Sequence, residues 1–138
     1  LGDVPLPKVD RVVEALGGVR RPAFTARVGG VGAFPGRSIR VVWIGAEGDF
    51  KGLFSAVEEA LVPLGFPREE RKFTSHATIA RVARPSPETT ALLAERLAPF
   101  REIDLGEFRV EEFSLKKSTL TPGGPIYEDI GSFPLTSD

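Results

Sequence analysis

The chain has 138 residues, 41% hydrophobic and 27% charged, with a formal net charge of −1. That composition excludes disordered and collagen-like classes, and no apolar run reaches the length of a membrane-spanning helix. There is no cysteine and a single histidine, so disulfides, thiolate chemistry and multi-histidine metal sites cannot be built from these residues alone.

In chain order, Val9, Val12, Val13 and Leu16 recur at helical spacing and predict a short amphipathic helix over 5–16, stopped by Gly17-Gly18. Residues 24–34 alternate as a strand with a bulge at Gly29-Gly30, and Pro35-Gly36 predicts a turn. Residues 40–44 are apolar on both faces, as a central strand requires, and pair with the preceding strand as a hairpin. Asp49 suits the N-cap of a helix carrying Leu53, Phe54, Val57, Ala60 and Leu61, ended by Pro63 and Gly65. Residues 73–82 predict a strand. Ser86-Pro87 opens a third helix that closes at Pro99. Residues 108–120 predict a further strand, 121–125 a turn and 127–135 a last strand. The order α, β, β, α, β, α, β, β is an α+β pattern in a single domain, 1–138.

His76 sits in Phe73-Thr74-Ser75-His76-Ala77-Thr78-Ile79-Ala80-Arg81. On a strand, residues two apart share a face, so His76 lies beside Thr78 with Thr74 behind. An imidazole titrates near neutrality and can move a proton; the threonine hydroxyl can hold a phosphoryl oxygen. Arg81 can supply the positive charge a phosphate needs. Strict alternation sends Arg81 to the opposite face, five positions on, unless the strand bulges or ends first. The plainer alternative makes His76 structural, Ala77, Ile79 and Ala80 packing residues, and Arg81 a strand-end surface charge. Gly29-Gly30-Val31-Gly32 lacks the Lys-Ser/Thr of a phosphate loop and reads as bulged strand. The acidic residues show no spacing of a metal site, and Lys116-Lys117 reads as a solvated strand edge.

His76-Ala77-Thr78-Ile79 with Arg81 resembles the second His-x-Thr-x motif of the two-histidine phosphoesterase superfamily. The stretch 117–128, Lys-Ser-Thr-Leu-Thr-Pro-Gly-Gly-Pro-Ile-Tyr-Glu, resembles the C-terminal signature of its RNA 2′,3′-cyclic phosphodiesterase branch, also called 2′-5′ RNA ligase-like; residues 35–45 resemble that branch's central strands. The resemblance implies a bilobal fold of antiparallel sheets with outer helices around a central cleft. It implies hydrolysis of RNA 2′,3′-cyclic phosphate ends to 2′-phosphomonoesters, with His76 catalytic and Thr78 and Arg81 binding substrate. No metal, cofactor or membrane is implied, and a cytoplasmic monomer acting on RNA is expected. Alternatives are a 2′-5′ oligonucleotide phosphodiesterase or ligase, a noncatalytic RNA-end-binding module, and a generic α+β domain.

The family carries two such motifs, and this chain holds only the second. Leu1-Gly2-Asp3 resembles the tail of the strand bearing the first, and the chain lacks an initiating methionine. The expectation is a fragment whose first motif, with an N-terminal strand-helix-strand, lies upstream of Leu1. Such a fragment is expected to be largely inactive and to expose a sheet edge.

Overall fold

A computed structural model describes residues 1–34 and 38–137. The elements are α1 (Leu6–Gly17), β1 (Phe24–Ala33), β2 (Val41–Glu47), α2 (Phe50–Leu61), β3 (His76–Arg81), α3 (Pro87–Leu97), β4 (Asp104–Val110), β5 (Glu112–Thr121) and β6 (Gly124–Pro134), with 3-10 turns at Val62–Leu64 and Ala98–Phe100. The α+β class stands. The single strand expected over 108–120 is two: β4 starts earlier, joins another sheet and ends before Glu111, and β5 follows. The alternation of Phe108, Val110, Phe113 and Leu115 hid that break, because its step of three at Glu111 and Glu112 is where the chain changes sheet. β3 is also shorter than the 73–82 expected, beginning at His76. The Pro35-Gly36 turn lies outside the described residues.

The chain divides into two compact units. One contains α1, most of α2 and the β5–β6 hairpin. Its core is Val12, Leu16, Leu61 and Phe133, with Val13, Val57, Leu64, Phe66, Phe113 and Leu115 packed around them. The helical stripe Val9, Val12, Val13, Leu16 turns Val12 and Leu16 inward, at 1% and 3% exposure. Arg20 closes the end of α1 by donating from Nη1 to the Gly17 carbonyl at 2.7 Å. Gly65, at φ +81°, ends the 3-10 turn after α2 in the left-handed conformation that glycine adopts without cost. In β5–β6, Phe113 stacks on Phe133 with centroids 5.1 Å apart. Farther along, Lys116 pairs with Asp129 and Lys117 with Glu128 across the ladder, so the basic spot is a solvated strand bearing cross-strand ion pairs.

The second unit is built from Thr25–Phe50 and Phe73–Phe108. Its sheet has the order β3-β2-β1-β4, which makes the doubly apolar β2 an interior strand. β1 and β2 pair antiparallel, with a register shift between Gly29 and Val31 where the Gly-Gly pair predicted a bulge. Ser86 caps α3, its Oγ accepting from the Thr89 N–H at 3.1 Å with Pro87 in the first turn. Thr90 on α3 accepts at Oγ1 from the Ile39 N–H at 2.9 Å and so tethers the chain entering β2.

Leu16→Ala is expected to destabilise the protein by about 2–4 kcal/mol, read from equilibrium urea denaturation. A loss below about 1 kcal/mol would mean that the Val12–Leu16–Leu61–Phe133 cluster does not hold its unit together.

Candidate active site

The second unit places its chemistry by register. β2 pairs antiparallel with β3, setting Gly45 opposite His76, Ile44 opposite Ala77 and Trp43 opposite Thr78. The register then shifts, and Val42 faces Ala80 and Val41 faces Arg81. Ile79 is therefore an extra residue, a bulge on β3. Val41, Trp43 and Gly45 alternate on β2 and share one face, and directly opposed residues of an antiparallel pair share a face too. His76, Thr78 and Arg81 consequently lie on the same face of the sheet. The odd spacing that sent Arg81 to the far side is cancelled by the one-residue insertion.

All six residues of β3 are exposed. Ala77, Ile79 and Ala80 are thus not buried packing residues; Ile79 is 57% exposed. Among the described residues Arg81 has no carboxylate partner, so its guanidinium is available to an anion.

His76 is oriented from two sides. Its Nδ1 lies 2.7 Å from the Thr74 carbonyl oxygen. A carbonyl only accepts, so Nδ1 carries a proton and Nε2 is the nitrogen left for chemistry. The ring stands edge-on to Phe34, centroids 4.8 Å apart at 87°, and lies 6.5 Å from Trp43. Trp43 fits because Gly32 faces it across the β1–β2 ladder. A Cβ at Gly32 would come within 2.5 Å of the indole, and one at Gly45 within 2.9 Å of the Gly29 carbonyl oxygen. Across the ladder from His76 on its own face, β2 therefore offers a glycine and an aromatic ring.

The same face continues past this row. Arg27 on β1 opposes Glu47 on β2, and Arg27 is ion-paired with Asp104. The Arg27 hydrogen bond, the Gly106 N–H donated at 2.9 Å and the Arg27 charge together hold the Asp104 carboxyl below its ordinary value; Asp104 in turn raises Arg27. Because the folded-state value is depressed, the pair's stabilisation is present above the ordinary aspartate value and fades as pH falls through the lower folded one.

Sequence reasoning named His76, Thr78 and Arg81 but missed Phe34, Trp43 and the Thr74 carbonyl. Counting parity through the Gly29-Gly30 bulge would have found two of them. The bulge moves Gly32 and Phe34 onto the face that Arg27 and Gly29 occupy before it, and a glycine opposite the chain's one tryptophan is the mark of a ring lying across a strand.

Residues 45–127 match the LigT like Phosphoesterase family model. The chain belongs to that family. It is 42% identical over 136 residues to an RNA 2′,3′-cyclic phosphodiesterase of Archaeoglobus fulgidus, covering 96% of this chain and 74% of that protein. It is 38% identical over 139 residues to one of Methanothermobacter thermautotrophicus, covering 98% and 73%. Among solved structures, TT0787 of Thermus thermophilus superposes with a TM-score of 0.70 at 31% identity, over 97% of this chain and 73% of that one. E. coli LigT complexed with 3′-AMP shares the fold, with a TM-score of 0.70 at 23% identity, over 99% and 73%.

The Asp104 carboxyl is expected to titrate below the ordinary aspartate range by NMR, and Arg27→Gln to move its midpoint back toward that range. An unchanged midpoint in the variant would show that the ion pair does not set it.

Proposed function

We propose that the protein hydrolyses the 2′,3′-cyclic phosphate at the end of an RNA, giving a 2′-phosphomonoester and a free 3′-hydroxyl. The observation that carries this reading is the bulged register of β3, which lines up an imidazole, a hydroxyl and an unpaired guanidinium on one exposed face. The similarity to RNA 2′,3′-cyclic phosphodiesterases of several organisms supports the same substrate class.

Water attacks phosphorus opposite the 3′-oxygen; its proton goes to one imidazole, the P–O3′ bond breaks, and a second acid protonates the departing oxygen. His76 does this work at Nε2 alone, since Thr74 keeps Nδ1 protonated in both charge states. Thr78 and Arg81 hold the non-bridging oxygens, where negative charge builds as the new bond forms. Phe34 and Trp43 limit the swing of the ring and shield it from water on one side. This division of labour asks for no metal ion or cofactor.

The 138 residues hold one histidine, so the second proton-transfer group of a two-histidine mechanism comes from outside them. We read residues 1–138 as the part of a single phosphoesterase domain that carries the second His-x-Thr-x motif, within a monomeric protein that meets its RNA in the cytoplasm. Among the described residues no helix is long and apolar enough to cross a membrane.

In the complete gene product, His76→Ala is expected to lower kcat on an RNA bearing a 2′,3′-cyclic phosphate by about 10²–10⁴-fold, with a smaller change in KM. Thr78→Val and Arg81→Lys lower kcat/KM through weaker charge stabilisation. Undiminished turnover by His76→Ala would end the catalytic assignment, and binding without turnover by the wild type would make the protein an RNA-end-binding module.

A further inference from the structure

We infer that the pocket between β1, β2 and the segment entering β4 binds the nucleobase of the RNA end, reading its hydrogen-bonding edge; the inference rests on the cyclic-phosphodiesterase reading and gives that site a specificity pocket. The cavity measures about 320 Å³ and is lined by Arg27, Glu47, Arg101, Glu102 and Asp104 around the Gly29-Gly30 bulge.

Its place relative to His76 follows from the two ladders. Gly29 opposes Gly45, and Gly45 opposes His76, without a register shift between them. Arg27 and Glu47 form the pair two positions along, on the same face. The pocket thus shares the face of His76 and lies two strands across, about 10 Å away. One nucleotide, with its phosphorus at His76, spans that distance from phosphate to base. Along that line β2 and β1 carry Gly45 and Gly29, with the Trp43 ring beside Gly45 and the Ile103 backbone at Gly29 as the near edge of the pocket.

The pocket wall is fixed. Gly30, at φ +67°, donates its N–H to the Ile103 carbonyl at 2.8 Å. A Cβ on Gly29 would come within 2.3 Å of that same oxygen. Only glycine lets the segment carrying Arg101 and Glu102 close down on β1. Arg27 is held by Asp104, which also accepts the Gly106 N–H at 2.9 Å. Among the described residues Glu47, Glu102 and Arg101 have no side-chain hydrogen-bonding or ion-pair partner, so their polar groups remain for a ligand.

The chemistry selects a base over the other parts of an RNA. Three carboxylates face two guanidiniums, and one guanidinium is already paired, which repels a phosphate. The guanidiniums equally discourage a metal ion. A neutral heterocycle with donors and acceptors along one edge suits a cavity that offers both. Arginine takes the O6/N7 acceptor pair of guanine, and carboxylates take amino groups. Guanine presents both features, and uracil has no amino group.

The test uses the complete gene product and short RNAs that differ only in the terminal base bearing the 2′,3′-cyclic phosphate. The wild type is expected to hydrolyse guanosine ends with kcat/KM about tenfold above uridine ends. Glu47→Gln and Arg101→Ala, both at exposed positions, should each erase most of that ratio, chiefly through KM. Glu95→Gln on the exposed side of α3 serves as the charge control and keeps the ratio. Base-independent kinetics in the wild type, or an unaltered ratio in both pocket variants, overturns the pocket assignment while leaving the activity standing. Failure of the wild type to cleave any cyclic end overturns the activity instead.

Discussion

Five paired positions between β2 and β3, interrupted by one unpaired residue, bring His76, Thr78 and Arg81 to one face of the sheet. Without Ile79 as an insertion, Arg81 would face away from His76 and Thr78, and no cation would stand beside the imidazole on its face of β3. The insertion costs a ladder contact and leaves an isoleucine exposed. Strand ends and edges are where such irregularities re-aim side chains, and β3 is the outermost strand of its sheet in the described residues. The backbone irregularity thus decides which side chains of β3 share a face.

A second irregularity serves a different purpose. At Gly29-Gly30 the bulge in β1 reverses the strand's faces midway. Ala26, fully buried, is on one face before it, and Phe34 reaches the His76 face after it. One strand therefore contributes to the core at one end and to the aromatic wall of the site at the other. The glycines at 32 and 45 complete the arrangement by letting Trp43 and the β1 backbone approach closely. A backbone carbonyl at Nδ1 together with aromatic rings against the imidazole is a way to hold its geometry where few buried contacts are available.

Much of this was legible in the residues themselves. The helical stripe through Val12 and Leu16, the Ser86-Pro87 cap, the interior position of β2 and the Gly29-Gly30 bulge all follow from local patterns, and each has a local physical cause. The His76–Thr78 pairing follows from the two-residue period of a strand. What escaped depends on partners distant in the chain. The Ile79 bulge is a property of pairing with β2, and nothing in Thr78-Ile79-Ala80 marks it. The split at Glu111 was hidden because β4 and β5 share one apolar rhythm while joining different sheets. Phe34 and Trp43 belong to the site through a cross-strand glycine, a relation that appears only once register is known.

The central claim is that His76, Thr78 and Arg81 converge on one phosphate. A crystal structure of the protein soaked with a vanadate–nucleoside analogue of the cyclic phosphate tests it most directly. The account predicts Nε2 of His76, Oγ1 of Thr78 and the Arg81 guanidinium all within hydrogen-bond reach of the vanadate oxygens. Vanadate bound elsewhere, or Arg81 extended from the opposite face of the sheet, would contradict it.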